Sequence, residues 1–198
     1  LNPVDKDVLT HLEHFYNYTS QVYRLNELDM VLRIEYQGMK FDTDTEYPDD
    51  LLNEINRAKT GEYKRIKDYK QSEGFDHITF MIANRAIIKK GDSGITCGIA
   101  YNWSPRIIKK ASSSTSFMST MAENVACKTG WTFAHELGHS MGLGHGSVVN
   151  LRNRRPEYPH SIQGYFPYAN GYCEMGKFVT IMSYEMYCKG AKELQFYT

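Results

Sequence analysis

One run of eleven residues, His135-Glu136-Leu137-Gly138-His139-Ser140-Met141-Gly142-Leu143-Gly144-His145, restricts this chain more than any other stretch. Histidines four apart on a helix lie on one face, one turn above the other, so His135 and His139 can reach a single ion. Glu136 follows the first of them and can point at the same ion without ligating it. Gly142 stands where a helix must end if the chain is to turn back, and glycine adopts the backbone conformation that such a turn requires. The turn returns His145 as a third ligand. A histidine-rich surface helix would match this pattern by chance on the order of once in 10⁴ to 10⁵ such chains.

Three protein nitrogens with an open fourth position describe a catalytic zinc site, since structural sites are usually closed by four ligands. Glu136 is then the general base that takes a proton from a water activated by the ion and later passes it to a leaving amine. His11, His14, His77 and His160 each read as ordinary surface or core residues.

The rest of the chain accommodates this centre in one domain cut by a cleft. With 198 residues the chain can bury a sizeable core without crosslinks. Lysine plus arginine (23) equals aspartate plus glutamate (23), which argues against nucleic acid as the main partner. No run of 18 or more apolar residues occurs, so no membrane-spanning helix is expected, and no leader is visible before Asn2-Pro3. The four cysteines, Cys97, Cys127, Cys173 and Cys188, lack any Cys-x-x-Cys spacing. Their even number suits two disulfides in an oxidising compartment, with three connectivities open.

Asn2-Pro3 starts an amphipathic helix carrying Val4, Val8, Leu12, Phe15, Thr19 and Val22 to about Leu25. Leu28 to Tyr36 alternates and reads as a strand with one buried face. Residues 49–70 read as a second, solvated helix, and Phe75 to Ala83 as a buried strand. Ile95 to Tyr101 suits an edge strand because of its glycine and the nearby Pro105. A polar loop at 111–116 precedes a short strand near Phe117 to Met121 and the helix of Thr129 to Met141. The order indicates an α/β (α+β) fold with a mixed sheet in the first two thirds. Tyrosines interleaved with Gly and Pro after residue 157 indicate an irregular remainder.

The zinc motif resembles the extended signature of the metzincin metallopeptidases. That family also places a methionine in a tight turn beneath the metal, and Thr180-Ile181-Met182-Ser183-Tyr184 is similar, with Met182 as the turn methionine. The resemblance implies the zincin-like fold, with a twisted mixed sheet, two long helices and an active-site helix in residues 1–145, and a lobe of residues 146–198 with the Met-turn. It implies that Gly98, Ile99, Ala100 and Tyr101 form the edge strand to which extended substrate adds, a mode available to any unpaired strand edge. It also implies that Tyr184 reaches the zinc and stabilises the oxyanion through its hydroxyl. Gly146 matches none of the residues that mark the serralysin, astacin or reprolysin branches at that place. Cys-Gly-Ile-Ala-Tyr is reprolysin-like, whereas Met-Ser-Tyr is serralysin-like. Among the connectivities, Cys97–Cys127 and Cys173–Cys188 are preferred, tying the edge strand to the approach of the active-site helix and bracing the Met-turn.

The function expected is therefore a secreted zinc-dependent endopeptidase acting on extracellular or host proteins, with one catalytic zinc; calcium sites are not legible. The alternative is a catalytically silent zinc-stabilised binding module or the protease subunit of a larger toxin, with a partner chain in that case. The intact Glu136 favours the enzyme. Asn17-Tyr18-Thr19 and Asn102-Trp103-Ser104 fit the glycosylation pattern, and Arg152-Asn153-Arg154-Arg155 reads as a solvated basic loop.

Overall fold

The amphipathic stripe of the first helix and the apolar run after residue 75 meet, in the computed structural model, as a helix and a strand on either side of one core. The structure describes residues 3–35, 48–83, 97–101, 118–123, 127, 129–146, 164–166, 168–184 and 188–197. Its elements are α1 (Pro3–Leu25), α2 (Pro48–Arg57), α3 (Gly61–Glu73), β1 (Ile78–Ala83), β2 (Gly98–Ala100), β3 (Met118–Glu123), α4 (Thr129–Ser140), β4 (Cys173–Glu174), β5 (Phe178–Val179) and β6 (Lys192–Glu193). The polar loop at 111–116, Asn102-Trp103-Ser104, Arg152 to Arg155 and His160 lie outside the described residues.

The first sheet has the order β1-β3-β2. β1 runs parallel to β3 with Ile78 opposite Met118, and β2 runs antiparallel to β3 with Gly98 opposite Met121. Among the described residues that order leaves β2 at the edge of the sheet, where its glycine predicted it. One face of the sheet carries Phe80, which packs with Leu51, Leu52 and Ile55 of α2 and Ile66 of α3. The other carries Met121, which packs with Phe15 of α1 and Phe133 and Leu137 of α4. A helix–sheet–helix sandwich of this kind is the α+β arrangement expected, and it holds α4 against the sheet with His135 toward Ile181. Residues 173–193 contain a second, small sheet, β4-β5-β6.

The stripe of α1 is buried where it faces α4: Phe15 is 1% exposed, and Thr19 and Val22 are fully buried. The rings of Phe15 and Phe133 stack at 4.9 Å. Past Leu25 the helix is closed by Glu27 in the left-handed region, φ 53°, and by the Leu28 N–H donating to the Tyr23 carbonyl at 3.0 Å. A non-glycine residue there costs backbone energy that glycine does not. Glu27→Gly is therefore expected to stabilise the fold by about 0.5–1 kcal/mol, read as a rise in the thermal midpoint of about 1–4 °C.

Two elements differ from expectation. The helix predicted over 49–70 is two helices, because the chain turns at Gly61 with φ 74°. Lys67 secures the break by donating its Nζ to the carbonyls of Asn56 (3.1 Å) and Ala58 (2.7 Å), acceptors that the end of α2 leaves open. Residues 28–35 join no ladder among the described residues. Leu28, Leu32 and Ile34 are half-buried while Val31 is 90% exposed, so the alternation produces a facing without a pairing.

Disulfides join Cys97 to Cys127 and Cys173 to Cys188. The first ties the residue before β2 to the approach of α4. The second ties β4 to the turn before β6. Loops of this length, 30 and 15 residues, constrain the unfolded chain by about 3–4 kcal/mol each on the chain-entropy model.

Candidate metal centre

Helix α4 carries His135, Glu136 and His139, and its end decides where the next histidine goes. Gly142 takes φ 92°, and the Leu143 N–H donates back to the Gly138 carbonyl at 2.9 Å. This left-handed closure turns the chain sharply. The stretch that follows is gripped by backbone from residues 169–182. Gly144 donates to Ala169 O (2.8 Å), Gly171 donates to Gly144 O (3.0 Å), and Gly146 donates to Met182 O (3.1 Å). His145 thus returns over α4.

The three imidazoles converge through their Nε2 atoms. His145 Nε2 lies 3.1 Å from His135 Nε2 and 2.9 Å from His139 Nε2, and one ligand atom of each lies within 4.8 Å of the others. Tetrahedral zinc with bonds of 2.0–2.1 Å sets its nitrogens about 3.3 Å apart, so the set needs only a slight spreading to accept the ion. Two of the rings are oriented by carbonyl oxygens, which can only accept. His135 donates Nδ1–H to Ile181 O at 2.7 Å, and His139 donates Nδ1–H to Leu143 O at 2.8 Å. Each therefore keeps its Nε2 lone pair for the centre, the arrangement that fixes the ligand tautomer at metal sites.

Burial lowers His135 to about 4 and His139 to about 3, and pushes His145 well down, so all three are neutral at neutral pH. Metal ligation requires that form. The three neutral nitrogen donors fit zinc, and three protein ligands suit a catalytic ion better than a structural one.

Glu136 is 4% exposed, and burial alone pushes its carboxyl up to about 8. A dication at the three Nε2 atoms acts in the opposite direction and favours the carboxylate. The carboxyl lies under β2. A Cβ added at Gly98 would sit 2.8 Å from Glu136 Oε1 and 2.8 Å from Thr132 Cγ2. Only glycine lets the edge strand approach the acid so closely. Along the rest of that strand the side chains alternate: Ile99 packs toward α2, and Tyr101, just past β2, directs its hydroxyl to Leu52 O (3.5 Å) and Asn53 Oδ1 (3.4 Å).

Met182 is fully buried beneath α4, in contact range of Gly138, where an added Cβ would fall within van der Waals overlap of the methionine sulfur. Tyr184 places its hydroxyl 3.0 Å from His145 Nε2, with its ring 5.5 Å from that of His135. Gly146 has no room for a side chain, since a Cβ would lie 2.7 Å from Ser183 Oγ and 2.9 Å from Gly171 O. That close approach accounts for a glycine where other branches carry proline or an acid. Sequence reasoning did not single out Ile181, whose carbonyl orients His135, nor Asn26 and Tyr197, which hydrogen-bond each other across the chain. Nothing local in the sequence signals them, because their partners are far along the chain.

Comparison with known proteins agrees with this geometry. The chain is 25% identical over 182 residues to a peptidyl-Asp metalloendopeptidase of Pseudomonas aeruginosa, a match covering 90% of this chain and 29% of that protein. A chain from a structure described as a chaperone-substrate complex superposes with a TM-score of 0.55 at 16% identity, covering 97% of this chain and 26% of that one. This chain thus spans less than a third of the length of either, and the second likeness concerns the fold alone. The model of the reprolysin-like metallo-peptidases, family M12B, matches residues 9–146, which contain the sheet, α4 and all three histidines. With most of its length matched and the zinc-fitting histidines converging within that match, the chain belongs to the reprolysin-like M12B metallopeptidases.

Proposed function

We propose that this chain is the catalytic domain of a secreted zinc endopeptidase that holds an extended polypeptide along β2 and cuts it above α4. The observation that carries the reading is the stacking of three layers at one point: the edge strand at Gly98, the Glu136 carboxyl in contact beneath it, and the converging Nε2 atoms of His135, His139 and His145. Residues 181–184 flank the histidines through Ile181 O and the Tyr184 hydroxyl. The two disulfides are consistent with an oxidising compartment, and among the described residues no helix is long and apolar enough to cross a membrane.

His135, His139 and His145 would hold the zinc. When bound, the ion supplies a Lewis acid that activates a water and polarises the peptide carbonyl. The backbone of β2, at the edge of the sheet among the described residues, would pair with the polypeptide and orient its scissile carbonyl over α4. Glu136 takes the water's proton on a carboxylate oxygen and hands it to the departing amide nitrogen, so the carboxylate is regenerated. Tyr184, with its hydroxyl at the same point, donates a hydrogen bond where negative charge develops on the carbonyl oxygen. Met182 fills the space under Gly138 and supports the histidine-bearing face.

Removal of the metal tests this reading. One zinc per chain by elemental analysis and cleavage of casein or gelatin that is abolished by 1,10-phenanthroline, then restored by zinc, is the expected result. Mass spectrometry of the fragments would give the residues flanking the cut, aspartate being the one that the name of the Pseudomonas relative points to. One zinc per chain with no cleavage of any unfolded protein would defeat the endopeptidase reading and leave a zinc-stabilised binding module.

A further inference from the structure

The carbonyl that orients His135 belongs to a residue whose own backbone is held from the far end of the chain. Ile181 donates its N–H to Phe196 O at 2.7 Å while its carbonyl accepts from His135 Nδ1 at 2.7 Å. Phe196 is in turn flanked by contacts to one side chain. Asn26 Nδ2 donates to Gln195 O at 3.0 Å, and Asn26 Oδ1 accepts from the Tyr197 N–H at 3.0 Å. The same Nδ2 donates to Val22 O at 2.7 Å, which fixes the amide to the last turn of α1. The ring of Tyr197, 4% exposed, lies with Met182, Ile181, Val22 and Ala134 in one buried cluster, and its edge would be 3.1 Å from a Cβ at Gly138.

We propose that Asn26 is a positioning residue for the zinc centre. It grips the backbone on both sides of Phe196, which sets the height of Ile181 and so the tilt of the His135 ring. The inference rests on the zinc reading above, because a relay that ends on a metal ligand has an effect only if the ligand binds metal. The geometry distinguishes this from ordinary packing: an asparagine amide carries two N–H donors and a carbonyl acceptor, and here the acceptor and one donor are used on one partner segment while the other donor anchors the amide to Val22 O. Without the amide, Gln195 O and the Tyr197 N–H exchange a fixed partner for water, and Phe196 O is free to drift from Ile181.

The test compares Asn26→Ala and Asn26→Ser with the unaltered chain. Serine keeps a polar group at the end of α1 but is too short to span both contacts. Three quantities are read: zinc affinity by competition with a chromophoric chelator, hydrogen exchange at the Ile181 amide, and exchange at the amides of α4. The expected result is zinc binding weakened about 10- to 100-fold, the range for loss of a group that orients a metal ligand. The Ile181 amide should exchange at least tenfold faster in both variants while the α4 amides keep their protection. Unchanged zinc affinity in folded Asn26→Ser, even with a lowered thermal midpoint, would overturn the proposal and reduce Asn26 to a helix-end support. If the unaltered chain binds no zinc at all, the reading of the centre fails with it, and that outcome is distinct because it needs no variant.

Discussion

Replacing Glu136 with glutamine is expected to lower kcat/KM on a protein substrate by about three orders of magnitude, within the range for loss of a positioned general base, while one zinc per chain stays bound. The two readouts separate because the carboxylate and the ligands do different work. The ligand nitrogens come from His135, His139 and His145, the first two oriented by the carbonyls of Ile181 and Leu143, and Glu136 enters none of these contacts. Glutamine has nearly the same shape, so the buried site under Gly98 is refilled without a cavity. It cannot accept and carry the proton that peptide hydrolysis must move from water to the amine. Elemental analysis and a casein assay on the same preparation would check both halves. Undiminished cleavage would show that another group moves the proton.

The second large effect is structural. Gly171→Ala is expected to destabilise the fold by more than about 3 kcal/mol, the size reserved for strain with no local relief. A Cβ at Gly171 would lie 2.8 Å from Met182 Cβ and closer still to the carbonyl group of Met182. The carbon it collides with is backbone, and that backbone accepts the Gly146 N–H and carries the turn beneath α4. It has nowhere to retreat. Gly176 makes a useful contrast: its φ of 75° is unfavourable for alanine, but nothing lies within 4 Å of an added Cβ. Gly176→Ala should cost only the left-handed backbone term of about 1 kcal/mol. Urea midpoints of the two variants measure the difference directly, and equal losses would show that the Gly171 contact is soft.

The contrast also shows why some of this molecule could be read from its sequence and some could not. The zinc motif is local. His135 and His139 are set by helical spacing and Gly142 by the need for a positive φ, so eleven residues predict a three-dimensional cluster. Burial of Phe15, Thr19 and Val22 followed from period alone. The edge position of β2 followed from its glycine and the flanking proline. The break between α2 and α3 was harder, because the amphipathic pattern continues across it and the left-handed Gly61 that breaks it looks like any glycine within a charged run. The stretch of residues 28–35, which joins no ladder among the described residues, resists pattern reading for a different reason: alternation reports which side is buried and says nothing about a neighbour. Support of His135 by Ile181, Phe196 and Asn26 is the extreme case, since a side chain at position 26 meets a backbone at 195–197, and no window of sequence contains both.

Gly98 has a consequence for how enzymes of this design can diversify. Bulk added at that point of the strand would strike the Glu136 carboxyl, so a change there would be felt first at the acid beneath it. Selection for new targets therefore has little freedom at this point of β2. It has more where side chains stand in solvent, as at Phe166, Tyr168, Tyr172 and Met175, exposed at 48%, 77%, 54% and 67%. A lineage of such proteases would keep this glycine nearly constant and write its history on the exposed surface.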